Sequence, residues 1–135
     1  MRTRTIRQTV TLPGSPLEVY RALMTTRGHE GFTGSPAKIS GRVGGRFTAW
    51  DGYIEGQNVE LVPGRKIVQT WRPMEEGWPE DHYSTVRILL SKVPGGTRLS
   101  FTHSGVVPEH AGHLATGWRD HYWTPLRGYL AERAR

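Results

Sequence analysis

The chain has 135 residues, a formal net charge of +6 at pH 7, 17 glycines, 9 prolines and no cysteine. The length suits one domain spanning residues 1–135, and the lack of cysteine excludes disulfides, thiolate zinc sites and a cysteine nucleophile. Because no apolar run approaches the ~20 residues of a membrane span and the amino terminus has no signal-peptide pattern, we expect a cytoplasmic protein without membrane insertion. The 15 arginines and 3 lysines are scattered along the chain, so we expect no nucleic-acid partner.

The first third of the chain predicts one strand and two short helices. Residues 2–12 alternate between polar and apolar side chains, which indicates a strand. Ser15, followed three residues later by Glu18, forms a capping-box pattern and predicts that a helix begins there. Thr26 is the predicted cap of a second helical turn over residues 27–31.

The middle of the chain predicts strands joined by tight turns. Asp51-Gly52 is the strongest hairpin signal, whereas residues 73–82 are polar and proline-rich and predict a loop. The predicted strands cover residues 38–43, 46–50, 53–61, 65–72, 83–93 and 97–103. Consecutive strands with short connections favour an antiparallel sheet.

The last part of the chain predicts one long helix. Large apolar residues recur at every fourth position: Leu114, Trp118, Tyr122, Leu126 and Leu130. This stripe indicates an amphipathic helix of up to 25 residues within 108–134, and Pro125 predicts a kink near His121–Tyr122. Such a helix can lie across a curved sheet, and the space between them is then either filled by aromatic side chains or left as a ligand cavity.

Several short motifs occur in order along nearly the whole chain. They are Gly44-Gly45-Arg46-Phe47, Gly52-Tyr53-Ile54-Glu55-Gly56, Leu61-Val62-Pro63-Gly64-Arg65-Lys66-Ile67, Thr70-Trp71-Arg72, Gly95-Gly96-Thr97-Arg98-Leu99, His103, Gly105 and Gly117-Trp118. As a set they resemble the helix-grip superfamily of START and Bet v-type domains, and within it the ATPase-activator homologue family. That family is named for a two-domain cochaperone of the ninety-kilodalton heat-shock protein, and the chain resembles its C-terminal domain.

The resemblance implies an α+β helix-grip fold. Its features are a curved antiparallel sheet of six to seven strands, a long C-terminal helix held against it, and two short helices after the first strand. The wider superfamily includes binders of lipids, hormones and polyketides, together with some cyclases. The resemblance therefore implies a fold and leaves several activities open.

Strand alternation places apolar residues on the concave side of the sheet, together with Gln57, Gln69 and His103. Buried polar groups need partners, so either a ligand or water contacts them, or Gln69 and His103 satisfy each other or the backbone. Trp71 and Trp118 either stack on a flat ligand or pack as core. The candidate ligand-binding residues are Phe32, Phe47, Trp50, Tyr53, Gln69, Trp71, Ile88, Phe101, His103, Trp118 and Tyr122.

Catalytic and metal-binding patterns are weak in this sequence. His110 and His113 are close enough to share an ion, with Glu80 and Glu109 as candidate helpers, but spacing determines no third ligand. We therefore predict no metal and no other cofactor. His103 and the adjacent serine point to opposite sides of a strand, so they form no catalytic pair; alone, His103 is the weak candidate for a general acid or base.

Three functions follow as hypotheses. The leading one is non-catalytic binding of a small apolar or aromatic molecule between the sheet and the C-terminal helix, with a role in stress response or resistance. The second is a protein-interaction module with a chaperone or another protein as partner, in a chain that is monomeric or homodimeric. The third is a cyclase- or hydrolase-type enzyme that uses His103.

Overall fold

The secondary structure of this computed structural model, which describes residues 2–134, follows the predicted order. The strands are β1 (Arg4–Leu12), β2 (Lys38–Ile39), β3 (Arg46–Ala49), β4 (Ile54–Val62), β5 (Lys66–Pro73), β6 (Ser84–Val93) and β7 (Gly96–Val106). The helices are α1 (Pro16–Met24), α2 (Thr26–Thr33), a 3₁₀ turn (Pro108–His110), α3 (Ala111–Trp118), a π turn (Arg119–Trp123) and α4 (Thr124–Arg133).

The seven strands form one antiparallel sheet in the order β1-β7-β6-β5-β4-β3-β2. From β2 to β7, each strand pairs with the next strand in sequence. β1 pairs with β7, so β1 and β2 are the two edge strands of an open sheet. The helical run from α3 to α4 packs its buried residues into the same core as the inner face of the sheet. The predicted α+β helix-grip architecture is confirmed.

Local hydrogen bonds set the ends of the two short helices. The predicted capping box is present: the Glu18 amide donates to Ser15 Oγ at 3.1 Å, and the Ser15 amide donates to Glu18 Oε1 at 2.9 Å. The predicted cap of α2 is wrong by one residue, because Thr25 rather than Thr26 is extended and accepts from the Gly28 amide at 3.0 Å. The hydroxyl of Thr26 instead accepts a hydrogen bond from the backbone amide of Ile39 in β2, at 2.9 Å.

The predicted Asp51-Gly52 hairpin is a tight turn with left-handed backbone angles. The φ values are 57° at Asp51 and 87° at Gly52, and the Tyr53 amide donates to the Trp50 carbonyl at 3.2 Å. These angles match the type I′ turn that suits a twisted hairpin. Trp50 also has a positive φ, of 55°, which is uncommon for a bulky residue.

The inward face of β4 differs from the prediction. Strand alternation placed Gln57 on the concave side, but Gln57 and Val59 are both exposed, whereas Asn58 between them is buried. The side-chain nitrogen Nδ2 of Asn58 donates to the carbonyls of Ser40 and Arg42 at 2.7 and 2.9 Å, and the β4–β5 register shifts directly after Asn58. Because the buried side-chain amide needs these partners, Asn58 determines which face of β4 points into the core. The β-bulge that follows it then breaks the alternation of inward and outward side chains along the strand.

The long helix contains a π turn where the sequence predicts a kink. The turn covers Arg119–Trp123, and its end is marked by a hydrogen bond from the Thr124 amide to the Arg119 carbonyl. A repeat of four residues exceeds the 3.6 residues of an α-helical turn, so a regular helix would rotate the apolar stripe away from the sheet. The wider π turn compensates for this rotation, and the whole stripe is buried: Leu114, Trp118, Tyr122, Leu126 and Leu130.

Within residues 2–134 no helix combines the length and the apolar character needed to cross a lipid bilayer.

Candidate functional site

Aromatic side chains fill most of the space between the sheet and the long helix. The Trp118 ring lies 4.5 Å from the Phe101 ring and 5.7 Å from the Trp71 ring, measured between centroids. The space left between these layers is a cavity of about 30 Å³, which is enough for a water molecule rather than for an organic ligand. The space between the middle of the sheet and the long helix is therefore part of the hydrophobic core.

A second cavity is larger. Its volume is about 620 Å³, which lies within the usual range for small-molecule sites. The β3–β4 turn, the end of β5 with the loop after it, and the first half of the long helix form its walls. The lining residues are Trp50, Tyr53, Ile54, Trp71, Glu75, His113, Leu114, Thr116, Gly117, Trp118, Asp120, His121 and Tyr122.

The structure divides the predicted ligand-binding residues into three groups. Those that line the large cavity are Trp50, Tyr53, Trp71, Trp118 and Tyr122. Those that border only the small cavity are Phe47, Gln69 and Ile88. Those that line neither of the two cavities are Phe32, Phe101 and His103. The tryptophans and tyrosines are thus the part of the predicted set that the fold brings together around open space.

His103 is held in the core by a chain of hydrogen bonds. The Trp118 indole donates to His103 Nδ1 at 3.0 Å, so the ring carries its proton on Nε2, which lies 2.7 Å from Ser84 Oγ. The serine hydroxyl then donates to the Trp71 carbonyl at 3.0 Å. Burial lowers the pKa of His103 to about 3. A general acid–base role stays a prediction that this geometry does not favour, because both ring nitrogens are engaged.

Gln69 also finds its partners inside the protein. Its amide nitrogen donates to Asn58 Oδ1 at 3.0 Å and lies 3.7 Å from the Met24 sulfur. Gln69 and His103 are therefore satisfied separately rather than by each other. The buried polar side chains of the concave face do not by themselves require a ligand.

A second buried histidine, His29, lies beside Tyr122. Its Nε2 is 3.1 Å from the tyrosine hydroxyl, and among the described residues its Nδ1 has no hydrogen-bond partner. Burial lowers the pKa of His29 to about 4 and raises the pKa of Tyr122. His29 was not among the predicted site residues, since its short, polar helix has no apolar pattern that indicates burial.

Residues of a second helix face form part of the cavity wall, although none of them was among the predicted ligand-binding residues. His113, Gly117 and His121 are spaced by four residues and line the cavity with Asp120. This spacing was visible in the sequence as a second stripe beside the apolar one. Glu75 lies in the loop predicted as structureless, and no signal in the sequence pointed to it.

Glu75 is the centre of a polar cluster at the cavity wall. Its Oε1 lies 2.5 Å from His110 Nδ1 and 2.8 Å from His113 Nε2, and its other oxygen accepts from the Tyr53 hydroxyl. The ligand atoms of the carboxylate and the two imidazoles lie within 4.8 Å of one another. The acidic partner of the two histidines is therefore Glu75, rather than Glu80 or Glu109, because the loop after β5 folds back onto the start of the long helix.

Comparisons with known proteins agree with this fold. The family model described as "Activator of Hsp90 ATPase homolog 1-like protein" matches residues 14–131. The mouse protein named Activator of 90 kDa heat shock protein ATPase homolog 2 is 36% identical over 99 residues, which cover 73% of this chain and 29% of the relative. The human homolog 1 is 31% identical over 121 residues, which cover 90% of this chain and 35% of the relative.

A solved structure shows the same fold. The crystal structure of an HSP90 activator from Plasmodium falciparum superposes with a TM-score of 0.84 at 24% identity, covering 94% of this chain and 96% of that one. The chain spans about a third of the length of the curated relatives described above, 29% and 35%.

Proposed function

This chain belongs to the Activator of Hsp90 ATPase homolog 1-like family, and we propose that it binds a small, flat, apolar or aromatic molecule. The binding site is the cavity of about 620 Å³ between the β3–β4 turn and the first half of the long helix. The binding is non-catalytic. The observation that carries the proposal is the size of this cavity together with its aromatic walls.

The chemistry of the walls supports an apolar occupant. Trp50, Trp71, Trp118 and Tyr122 present ring surfaces, which give large contact areas at a small cost in side-chain entropy. Polar side chains also line the cavity, among them Glu75, Asp120 and His121. A flat, mainly apolar ligand that carries a few polar groups matches this lining.

The proposal is tested with N-phenyl-1-naphthylamine, a neutral aromatic probe whose fluorescence rises in apolar sites. Gly117 lines the cavity, and a Cβ added there meets only His121, at 3.9 Å. We therefore expect saturable probe binding that Gly117→Leu weakens by about tenfold or more, since the new side chain occupies cavity volume and removes apolar contacts.

The matched control is Gly128→Leu in α4. A Cβ at Gly128 meets nothing within 4 Å, and this glycine is not among the residues that line the cavity. Probe binding should be unchanged in this variant. Equal binding by the wild type and Gly117→Leu would contradict the proposal, as would a linear, non-saturating signal.

A second candidate function is interaction with a ninety-kilodalton heat-shock protein chaperone. The supporting observation is the 36% identity to a mouse protein named as an activator of that chaperone's ATPase. Because the chain corresponds to only 29% of that relative's length, binding and ATPase activation are separate questions.

Isothermal titration calorimetry with the purified chaperone tests the binding, and its ATPase rate tests the activation. Lysozyme, another small basic protein, controls for non-specific attraction to a chain with a net charge of +6. This second function would be rejected if no heat of binding were detected, or if lysozyme gave the same heat.

A further inference from the structure

We propose that Glu75, His110 and His113 form a binding site for a divalent transition-metal ion, with Zn²⁺ as the test ion, at the wall of the large cavity. Each residue supplies one ligand atom: Oε1 of Glu75, Nδ1 of His110 and Nε2 of His113. Two imidazoles and one carboxylate are a ligand set that suits zinc and related ions. This inference does not depend on an occupant of the cavity.

The two distances from the carboxylate oxygen to the histidine nitrogens suit an ion after a small adjustment. The carboxylate oxygen is 2.5 Å from His110 Nδ1 and 2.8 Å from His113 Nε2. Ligands bound to zinc at about 2.0–2.2 Å lie roughly 3.3 Å from one another. Each of these two oxygen–nitrogen pairs therefore needs to separate by less than about 1 Å, and the two nitrogens lie within 4.8 Å of each other. The ion replaces the hydrogen-bonding protons between the imidazoles and the carboxylate.

The surroundings hold two of the three ligands in place. The Tyr53 hydroxyl donates to the second carboxylate oxygen of Glu75, which orients the carboxylate and leaves Oε1 toward the histidines. His110 is buried, and the Trp78 ring lies edge-on to it with 5.5 Å between centroids. His113 has a side chain that is 55% exposed, so it can adjust its position at little cost.

The site also has an open side. Glu75 and His113 both line the large cavity, so an ion held by three protein ligands would direct its remaining coordination positions toward that space. Zinc sites with three protein ligands and an open position are a recognised class. The fold creates the arrangement from two distant parts of the chain, the loop after β5 and the start of the long helix.

The test uses the untagged chain, titrated with Zn²⁺ by calorimetry and with Co²⁺ by visible absorption, which reports the coordination geometry directly. We expect one ion per chain. His113→Ala and Glu75→Gln should each weaken binding by about tenfold or more, since each removes a ligand or its charge. His113→Ala is the decisive variant because its exposed side chain contributes little to the core.

The matched control is His121→Ala. His121 lies on the same helical run and lines the same cavity, but it is not part of the cluster. Its removal should change the affinity less than twofold. The proposal is overturned if the chain shows no saturable uptake of either ion, if His113→Ala binds as tightly as the wild type, or if His121→Ala weakens binding as much as His113→Ala.

Discussion

The indole nitrogen of Trp118 donates a hydrogen bond to Nδ1 of the buried His103 at 3.0 Å. Replacing the indole in Trp118→Phe leaves a buried imidazole nitrogen without its donor. Such a loss costs about 1–3 kcal/mol of unfolding free energy. Urea unfolding measures the change.

Trp50→Phe is the control, because Trp50 is only partly buried and lines the open cavity. This variant should lose clearly less unfolding free energy than Trp118→Phe. Equal losses would contradict the structural role of the Trp118–His103 hydrogen bond.

The two buried histidines predict acid sensitivity. Burial lowers the pKa of His29 to about 4 and that of His103 to about 3, whereas both return to about 6.5 on unfolding. Below pH 6.5 the unfolded chain therefore binds protons that the folded chain excludes. The free energy of unfolding should be insensitive to these histidines above about pH 6.5 and fall toward pH 4, by up to about 1.4 kcal/mol per pH unit for each histidine.

Urea unfolding at several pH values between about 7.5 and 4.5 checks this dependence, compared between the wild type and His29→Gln. Glutamine has no proton to gain, so the variant should lose the His29 share of the slope. Other titrating groups are common to both proteins and cancel in the difference. Identical slopes would show that His29 is not held neutral by burial.

Two glycines should respond to alanine with opposite signs. At Gly56 in β4 a Cβ would lie 1.9 Å from the Thr70 carbonyl oxygen, so Gly56→Ala should destabilise the fold by about 1–3 kcal/mol or more. At Gly117 the nearest atom is 3.9 Å away. Alanine there should stabilise the helix by about 0.5–1 kcal/mol, and thermal unfolding distinguishes the two signs.

The capping box of α1 predicts a modest loss of stability. Ser15→Ala removes the oxygen that accepts the Glu18 amide, which should cost about 0.5–2 kcal/mol in urea unfolding. Ser91→Ala changes an exposed strand serine and serves as the control. A cost at Ser15 no larger than at Ser91 would mean that the cap contributes nothing measurable.

Local patterns were sufficient for the order of elements. The Asp51-Gly52 turn, the capping box at Ser15 and the apolar stripe of the long helix depend on residues close together in sequence, and all are present in the structure. The motifs that carry the family resemblance are likewise short. Turn chemistry and periodicity therefore predicted an antiparallel sheet crossed by one long helix, and the family resemblance implied the helix-grip fold.

The candidate site depended on contacts between distant residues. The face of β4 follows from Asn58, whose amide binds carbonyls 16 and 18 residues away, and no local period contains that information. The meeting of Glu75 with His110 and His113 spans 35 and 38 residues. Composition and periodicity were enough to show which aromatic rings the fold must accommodate. They could not show that Phe101 packs in the core while Trp50 lines a cavity, because the packing of the sheet against the helix depends on strand register and helix rotation.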